Sequence, residues 1–396
     1  MSAPTMDAWR KRFTRRVVGG TLASQLPIAL TCAALAASSG TPATVAIVVA
    51  ILALGALNTP LYLRLRDWRD HERRSLARVW AVELPYFAYF AGSVFFALTF
   101  APVLLVAGIV GGGALVGASM RALLIVCALV GFYSVFVRRL WAPVAPVVVE
   151  IDGLDPALEG FTIAQLSDVH CGPYMPRWYL RRLARRMSSL GADVCVLTGD
   201  MITEGEGYTD DVAELARHVT APRGVLAILG NHDYFGTTDG VRLALERGGA
   251  KVLRNEGVAV ARADGGPALF IAGIDDNWTG RDDVARALAE KPDGTTCVFL
   301  AHDPSLFDEI ASHGSVSLVL SGHTHAGQVG VPFVTHRFNL GRIKFARSVG
   351  LSRSNDGRVA LFVHPGNGTS GPPVRFGVAP VIAKITLVRA RTKSHP

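Results

Sequence analysis

Apolar positions follow two different rhythms in this chain. Up to about residue 140 they come in long unbroken runs; beyond it they come in short β-rich runs alternating with helical patterns. Uncharged runs cover 17–39 and 43–63. A third covers 82–107 with Glu83 near its edge, and a fourth covers 115–137, interrupted by Arg121. Each approaches the roughly 20 residues that cross a bilayer. Pro27, Pro60 and Pro102 are tolerated in such helices. The pattern predicts a transmembrane region over 1–141 with about four helices, in which Arg121 snorkels to an interface or lies outside its span. The other reading of the first run, an export signal with paired arginines, lacks an evident small-residue cleavage site.

Ala142-Pro143-Val144-Ala145-Pro146 reads as a linker into a domain over 142–396. There, strands are expected at 147–151, 162–166, 194–197, 225–229, 258–262, 269–272, 298–300, 317–320, 359–363 and 382–388. Helices are expected at 176–190, 210–218, 239–247, 282–289 and 304–311. The alternation predicts an α/β domain.

Charge sharpens the division. The formal net charge is +8, and residues 1–150 hold all of it, with 14 Lys+Arg against 6 Asp+Glu; the remainder holds 26 of each. A basic excess confined to the apolar part speaks for membrane topology and against nucleic acid as a partner. Arg10, Lys11, Arg12, Arg15 and Arg16 precede the first run. Arg64, Arg66, Arg69, Arg73, Arg74 and Arg78 lie between the second and third, and Arg138 and Arg139 follow the fourth. The connections 40–42 and 108–114 carry no charge. Basic loops resist translocation, so the expectation is a multi-pass cell-membrane protein with both ends, and the domain, in the cytoplasm. The five cysteines make no Cys-x-x-Cys spacing and suggest neither a disulfide framework nor thiolate metal ligation.

The candidate chemistry sits where the short apolar runs end. Ser321-Gly322-His323-Thr324-His325 follows the run 316–320, and neutral imidazole is the commonest metal-binding side chain. Four more runs end the same way: in Ser167-Asp168-Val169-His170, in Thr198-Gly199-Asp200, in Gly230-Asn231-His232-Asp233 and in Ala301-His302-Asp303-Pro304. Any one of these could be a turn or a helix cap. Five together, all at strand ends where α/β sheets gather ligands, point to a metal site.

In this order the five clusters resemble the signature of the calcineurin-like metallophosphoesterase superfamily: Asp-x-His, Gly-Asp, Gly-Asn-His-Asp/Glu, a lone His and Gly-His-x-His. The resemblance covers about residues 147–390. The tail Gly366-Asn367-Gly368-Thr369-Ser370-Gly371-Pro372-Pro373-Val374-Arg375-Phe376 is similar to that of the membrane-associated bacterial phosphoesterase branch. That branch usually has Gly where Ala326 stands and Pro-Glu where Pro380-Val381 stands; the departures bear on substrate preference.

The resemblance implies a four-layer α/β/β/α sandwich behind a bundle of about four transmembrane helices. It implies one metal on Asp168, His170 and His325, another on Asn231, His302 and His323, and Asp200 bridging them. His232 would donate a proton to the leaving oxygen or stabilise charge there. Two divalent ions roughly 3.5–4 Å apart can activate a shared hydroxide and neutralise phosphate oxygens. These donors suit Mn, Fe or Zn and do not choose among them.

The expected activity is hydrolysis of a phosphoester or pyrophosphate. A phospholipid or lipid-linked substrate is suggested by location alone, and no protein partner is evident. Nucleotide or cyclic-nucleotide phosphodiesterase activity is the rival enzyme reading, and an inactive membrane sensor or scaffold the rival from another class. Three assignments stay open at this level. Asp233 either orients His232 or caps a turn. Arg375 either meets substrate phosphate or is structural. The glycine-rich 366–371 either cradles phosphate or makes a tight connection.

Overall fold

The computed structural model describes residues 6–67, 73–236, 239–261 and 269–390. Arg69 and the last position of the expected strand 258–262 lie outside these residues, as do the side chains of Arg10, Lys11 and Arg66. The chain separates into two compact units, one running to Val137 and the other beginning at Arg138; Arg73 groups with the second.

Among the described residues, three helices are long and apolar enough to cross a membrane: Arg12–Ser38, Ala43–Leu65 and Leu76–Leu140. The third contains both the third and fourth apolar runs. It is broken at Gly112, whose φ of 65° and ψ of −160° only glycine adopts without strain. The two halves fold back on each other. A Cβ on Gly92 would lie 2.7 Å from the carbonyl oxygen of Cys127, and one on Gly131 would strike the carbonyl of Ala88. Absent side chains let the two backbones approach closely, the usual device of membrane helix pairs. A buried polar chain links the first unit internally: Asn58 donates to Gln25 at 2.6 Å and Tyr86 donates to Asn58 at 3.1 Å. Glu83 is buried and paired with Arg74 at 2.8 Å and Arg78 at 3.2 Å.

The second unit has twelve strands among its described residues: β1 (Val144–Ile151), β2 (Thr162–Leu166), β3 (Val194–Thr198), β4 (Val225–Ile228), β5 (Lys251–Val252), β6 (Glu256–Val260), β7 (Leu269–Gly273), β8 (Cys297–Leu300), β9 (Leu318–Ser321), β10 (Gly350–Arg353), β11 (Ala360–Val363) and β12 (Ile382–Arg389). They form two six-stranded sheets, ordered β1-β12-β2-β3-β4-β5 and β10-β11-β9-β8-β7-β6. The runs β2-β3-β4 and β7-β8-β9-β11 are parallel.

Every residue of β3, β4, β8 and β9 is buried. Strands covered on both faces read as unbroken apolar runs, which is why these four were legible. Side chains such as Ile163, Val196, Ile228, Val298, Leu300 and Leu320 fill the space between the sheets. Helices Arg177–Ser188, Thr209–Arg217 and Gly240–Arg247 cover the outer face of the first sheet, and Val284–Leu288 and Phe307–Ser312 that of the second. The result is the expected α/β/β/α sandwich. The two strands the sequence did not announce, β5 and β10, are a two-residue edge piece and the half-polar Gly-Leu-Ser-Arg.

Candidate active site

The parallel strands β2, β3 and β4 of one sheet and β8 and β9 of the other release their C-terminal ends into one region, and all five Asp/Asn/His clusters meet there. Asp168, His170, Asp200 and His325 form one group of buried donors, and Asp200, His302 and His323 another, with Asp200 common to both. Asn231 joins the second group, its side-chain oxygen 3.0 Å from Nδ1 of His323.

The backbone turns sharply to achieve this. Asp168, His170, Asp200, His323 and His325 all take left-handed φ angles between 49° and 68°. Non-glycine residues rarely do so, and such strain concentrates at functional sites. Neighbouring glycines make room. A Cβ on Gly199 would lie 2.6 Å from Nδ1 of His302, and one on Gly322 would strike Ser167 and Asp168.

The hydrogen bonds set which atom of each side chain faces inward. His302 Nδ1 lies 2.7 Å from the Thr198 carbonyl, which fixes the proton there and turns Nε2 toward Asp200 Oδ2 at 3.2 Å. His325 Nε2 lies 2.9 Å from His170 Nε2 and 3.2 Å from Asp168 Oδ1. Asp168 Oδ2 and His302 Nε2 are buried with no hydrogen-bond partner. Buried polar atoms left without a hydrogen-bond partner are costly, and both belong to the donor groups. A cation would satisfy them, so these residues fit a divalent ion.

The electrostatics point the same way. Burial, reinforced by His232, pushes His170 down to about 3. Burial with His302 pushes His323 down to about 4, and burial with His170 and Arg375 puts His325 well below the usual range. These imidazoles are therefore neutral, the form that coordinates metal. Burial, with Asp200 beside it, raises Asp168 to about 6. At Asp200 burial works upward, but the charges of His302 and His232 outweigh it and hold the carboxyl well below the ordinary value. At His302 burial works downward, but Asp200 outweighs it and raises the ring to about 10. Asp200 is thus the anionic centre of the cluster.

His232 stands just outside the donor groups. Its Nδ1 is 2.7 Å from the Thr203 carbonyl, its ring lies edge-on to His170 at 4.8 Å, and its backbone N–H donates to Asp200 at 2.9 Å. Nε2 makes no hydrogen bond among the described residues. Phe235 lies 4.7 Å from the ring, with the exposed Trp278 beyond. On the opposite flank Phe345 meets His323 edge-on at 5.4 Å.

The three open assignments resolve structurally. Asp233 accepts from the backbone N–H groups of Met201, Ile202 and Gly230 at 2.8, 3.1 and 2.9 Å. It pins the Asp200 loop to the Asn231 loop and makes no bond to His232 among those described. Arg375 is fully buried. It donates to the carbonyls of Pro365 and Gly368 and places Nη2 3.3 Å from His325, so it braces the site from behind and does not face substrate. The 366–371 loop packs on the Asp168 loop, through Asn367 to Ser167 and Gly368 to Asp168 at 2.7 Å, and is the tight connection. His364 is buried and accepts from Gly366; His336 is exposed and away from the donors.

On the helix 177–188, Arg177 and Arg181 pair with Asp211 and Glu214, and Arg186 bonds the Ala142 carbonyl. Arg73 joins the same Asp211 at 2.9 Å. Every cysteine is free. The aromatic side chains Phe235, Trp278 and Phe345 beside the site are not singled out by the sequence. The closeness of Phe235 to the Asn231-His232 cluster was the available signal.

A buried Asp/His cluster at the strand ends of an α/β/β/α sandwich defines a metal-dependent phosphoester hydrolase. The calcineurin-like phosphoesterase family profile matches residues 161–327. The "uncharacterized metallophosphoesterase YkuE" of Bacillus subtilis is 32% identical over 236 residues, which cover 58% of this chain and 79% of that one. An "uncharacterized metallophosphoesterase" of Aquifex aeolicus is 29% identical, over 66% of this chain and 97% of its own. The "transmembrane protein with metallophosphoesterase domain" of Danio rerio is 29% identical over 67% of this chain and 62% of its own. The chain belongs to the calcineurin-like metallophosphoesterase family.

The bracing role of Asp233 gives a test. Asp233→Ala leaves three buried backbone N–H groups without acceptors, each costing about 1–3 kcal/mol. Thermal unfolding should drop by several degrees, and Asp233→Asn, which keeps one oxygen, should recover part of the loss. An unchanged melting temperature in the alanine variant would contradict the role.

Proposed function

We propose that this chain is a membrane-anchored phosphoesterase with a dinuclear centre. Asp168, His170 and His325 would hold one divalent ion (Mn, Fe or Zn), Asn231, His302 and His323 the second, and Asp200 would bridge them. The observation that carries this reading is the sharing of Asp200 by two donor groups, each of which holds a buried polar atom without a hydrogen-bond partner, Asp168 Oδ2 in one and His302 Nε2 in the other. Bound ions of this kind lower the pKa of water and neutralise phosphate oxygens.

The chain's own residues do the rest. Asp200 keeps its charge against His302, beside the neutral rings of His170, His323 and His325. His232, held through Nδ1 by Thr203, presents Nε2 to the leaving-group oxygen and gives it a proton. Phe235 and Trp278 offer an apolar wall next to that group. A phospholipid or lipid-linked phosphoester is the substrate class that fits a membrane-anchored enzyme. The membrane anchor consists of four crossings, the last two being the arms on either side of Gly112, and the catalytic unit lies in the cytoplasm.

Elemental analysis of the metal-saturated, detergent-solubilised chain should approach two ions per molecule. Asp200→Asn should lower occupancy at both positions and abolish most activity; full activity in that variant would sink the dinuclear assignment.

His232→Ala should keep both ions and lower kcat by roughly 10²–10⁴-fold, the usual scale of a lost general acid. The loss should shrink for substrates with very good leaving groups. If the variant sheds metal instead, His232 is a ligand.

Topology can be read with reporters fused after Pro396. The uncharged 40–42 and 108–114 connections against the arginine-rich 64–78 loop predict a fluorescent cytoplasmic fusion and a silent export-dependent phosphatase. The reverse pattern would overturn both the crossing count and the cytoplasmic substrate pool.

A further inference from the structure

No carboxylate occurs between Glu309 and Asp356. Within that stretch the chain leaves His325 and builds a small projecting hairpin. Its base is tightly held. Gly330 pairs with Asn339, the Val331 N–H donates to Phe338 at 2.8 Å, Thr335 donates to the Gly377 carbonyl at 2.7 Å, and the buried Asn339 side chain receives Ser348 and the Arg342 N–H. Beyond this base the apolar side chains face outward. Phe333 is 101% exposed, Ile343 83% and Phe338 60%, and Val331 and Leu340 are about half exposed. Phe333 also holds a left-handed φ of 68°, costly for an aromatic that packs on nothing. These side chains add nothing to the hairpin's own core. A rigid base presents them.

Arg337, Arg342 and Lys344 are exposed among them, with no carboxylate partner among the described residues, whereas Arg347 is paired with Asp308 at 3.0 Å. Apolar tips interleaved with cations that have no carboxylate partner among the described residues match one kind of surface, the headgroup layer of a bilayer bearing anionic lipid. A second copy of the chain is a poor occupant, because a twofold contact would bring cations face to face with no carboxylate between them. The patch adjoins the site. Gly327 lies against Leu340 and Gly341, and Phe345, next to Lys344, touches the His323 ring.

We propose that residues 331–344 are a membrane seat: Phe333, Phe338 and Ile343 enter the boundary between headgroups and acyl chains of an anionic bilayer, with Arg337, Arg342 and Lys344 on its phosphates. The proposal rests on the membrane-anchored reading above and adds to it. The mouth of the donor cluster opens beside the headgroup layer, so phosphoesters carried by lipids reach it laterally.

The full-length chain, with Cys32→Ala and a nitroxide on Phe333→Cys, is reconstituted into phosphatidylcholine vesicles with or without phosphatidylglycerol. A control label sits on Arg358→Cys, a site whose native side chain is 82% exposed and lies outside the hairpin. In vesicles with phosphatidylglycerol, collisions with oxygen should exceed those with a polar nickel chelate at position 333 and fall below them at 358. Arg337→Gln, Arg342→Gln and Lys344→Gln together, or omission of phosphatidylglycerol, should cut that preference at least threefold.

A position 333 that behaves like 358 overturns the seat, as does one shielded from both reagents by protein. Insensitivity to the three cations and to phosphatidylglycerol overturns the anionic-lipid assignment. Flotation with vesicles is scored on the same sample. A chain that does not float overturns the anchored reading and the seat together, whereas a floating chain with a water-exposed 333 overturns the seat alone. Manganese-dependent hydrolysis of bis(4-nitrophenyl) phosphate by that sample tests the catalytic reading independently.

Discussion

The constraint on which the catalytic unit depends is the burial of lone pairs that face one another. Asp168, His170, Asp200, His302 and His325 are all buried, their atoms gather in two tight groups that share Asp200, and two of those atoms have no hydrogen-bond partner. Five backbone positions in left-handed conformation at about 1–2 kcal/mol each add to the cost. That total rivals the net stability of a typical domain, so the frame around the site must be strong. The fully buried central strands supply it, and three braces transmit it: Asp233 across two loops, Asn367 and Gly368 onto the Asp168 loop, and Arg375 behind His325. A bound cation would relieve the same repulsion, and its binding would then be linked to the folding of this region.

Much of this arrangement was readable from residue types alone. Parallel strands covered on both faces leave unbroken apolar runs, and the residues that end such runs must turn, so polar clusters at Asp168, Asp200, Asn231, His302 and His323 stood out. The braces were not readable, because their meaning lies in distant partners. Asp233 could as well have oriented His232, since a carboxylate beside a histidine looks alike in either role. Arg375 invited a phosphate reading because sequence shows its charge and not its burial. Full burial among carbonyl oxygens turns the same guanidinium into scaffold. The edge strands β5 and β10 escaped because a short or half-polar strand has no period to detect.

The apolar part shows a second limit of pattern reading. Length and charge divided it into runs, but the join between the last two was decided by Gly112, which adopts a backbone angle closed to other residues. Gly92 and Gly131, spaced for close approach of the two arms, carry no hydropathy signal beyond their smallness. Glycine therefore does opposite work in one helix-rich segment, breaking it at one point and packing it at two others.

Position and chemistry are coupled through one loop. The left-handed turn that aims His325 inward continues through Ala326 and Gln328, also left-handed, into the hairpin whose tips face outward. Ligand geometry and surface presentation therefore share a hinge of a few residues with little freedom to vary independently. Gly327 reinforces this, since a side chain there would strike the backbone at Leu340 and Gly341. A change in how the hairpin sits must be felt at His325 and, through Phe345, at His323. Exposed phenylalanines at the outer end of the loop and buried donors at its inner end are therefore tied to one short, constrained backbone segment.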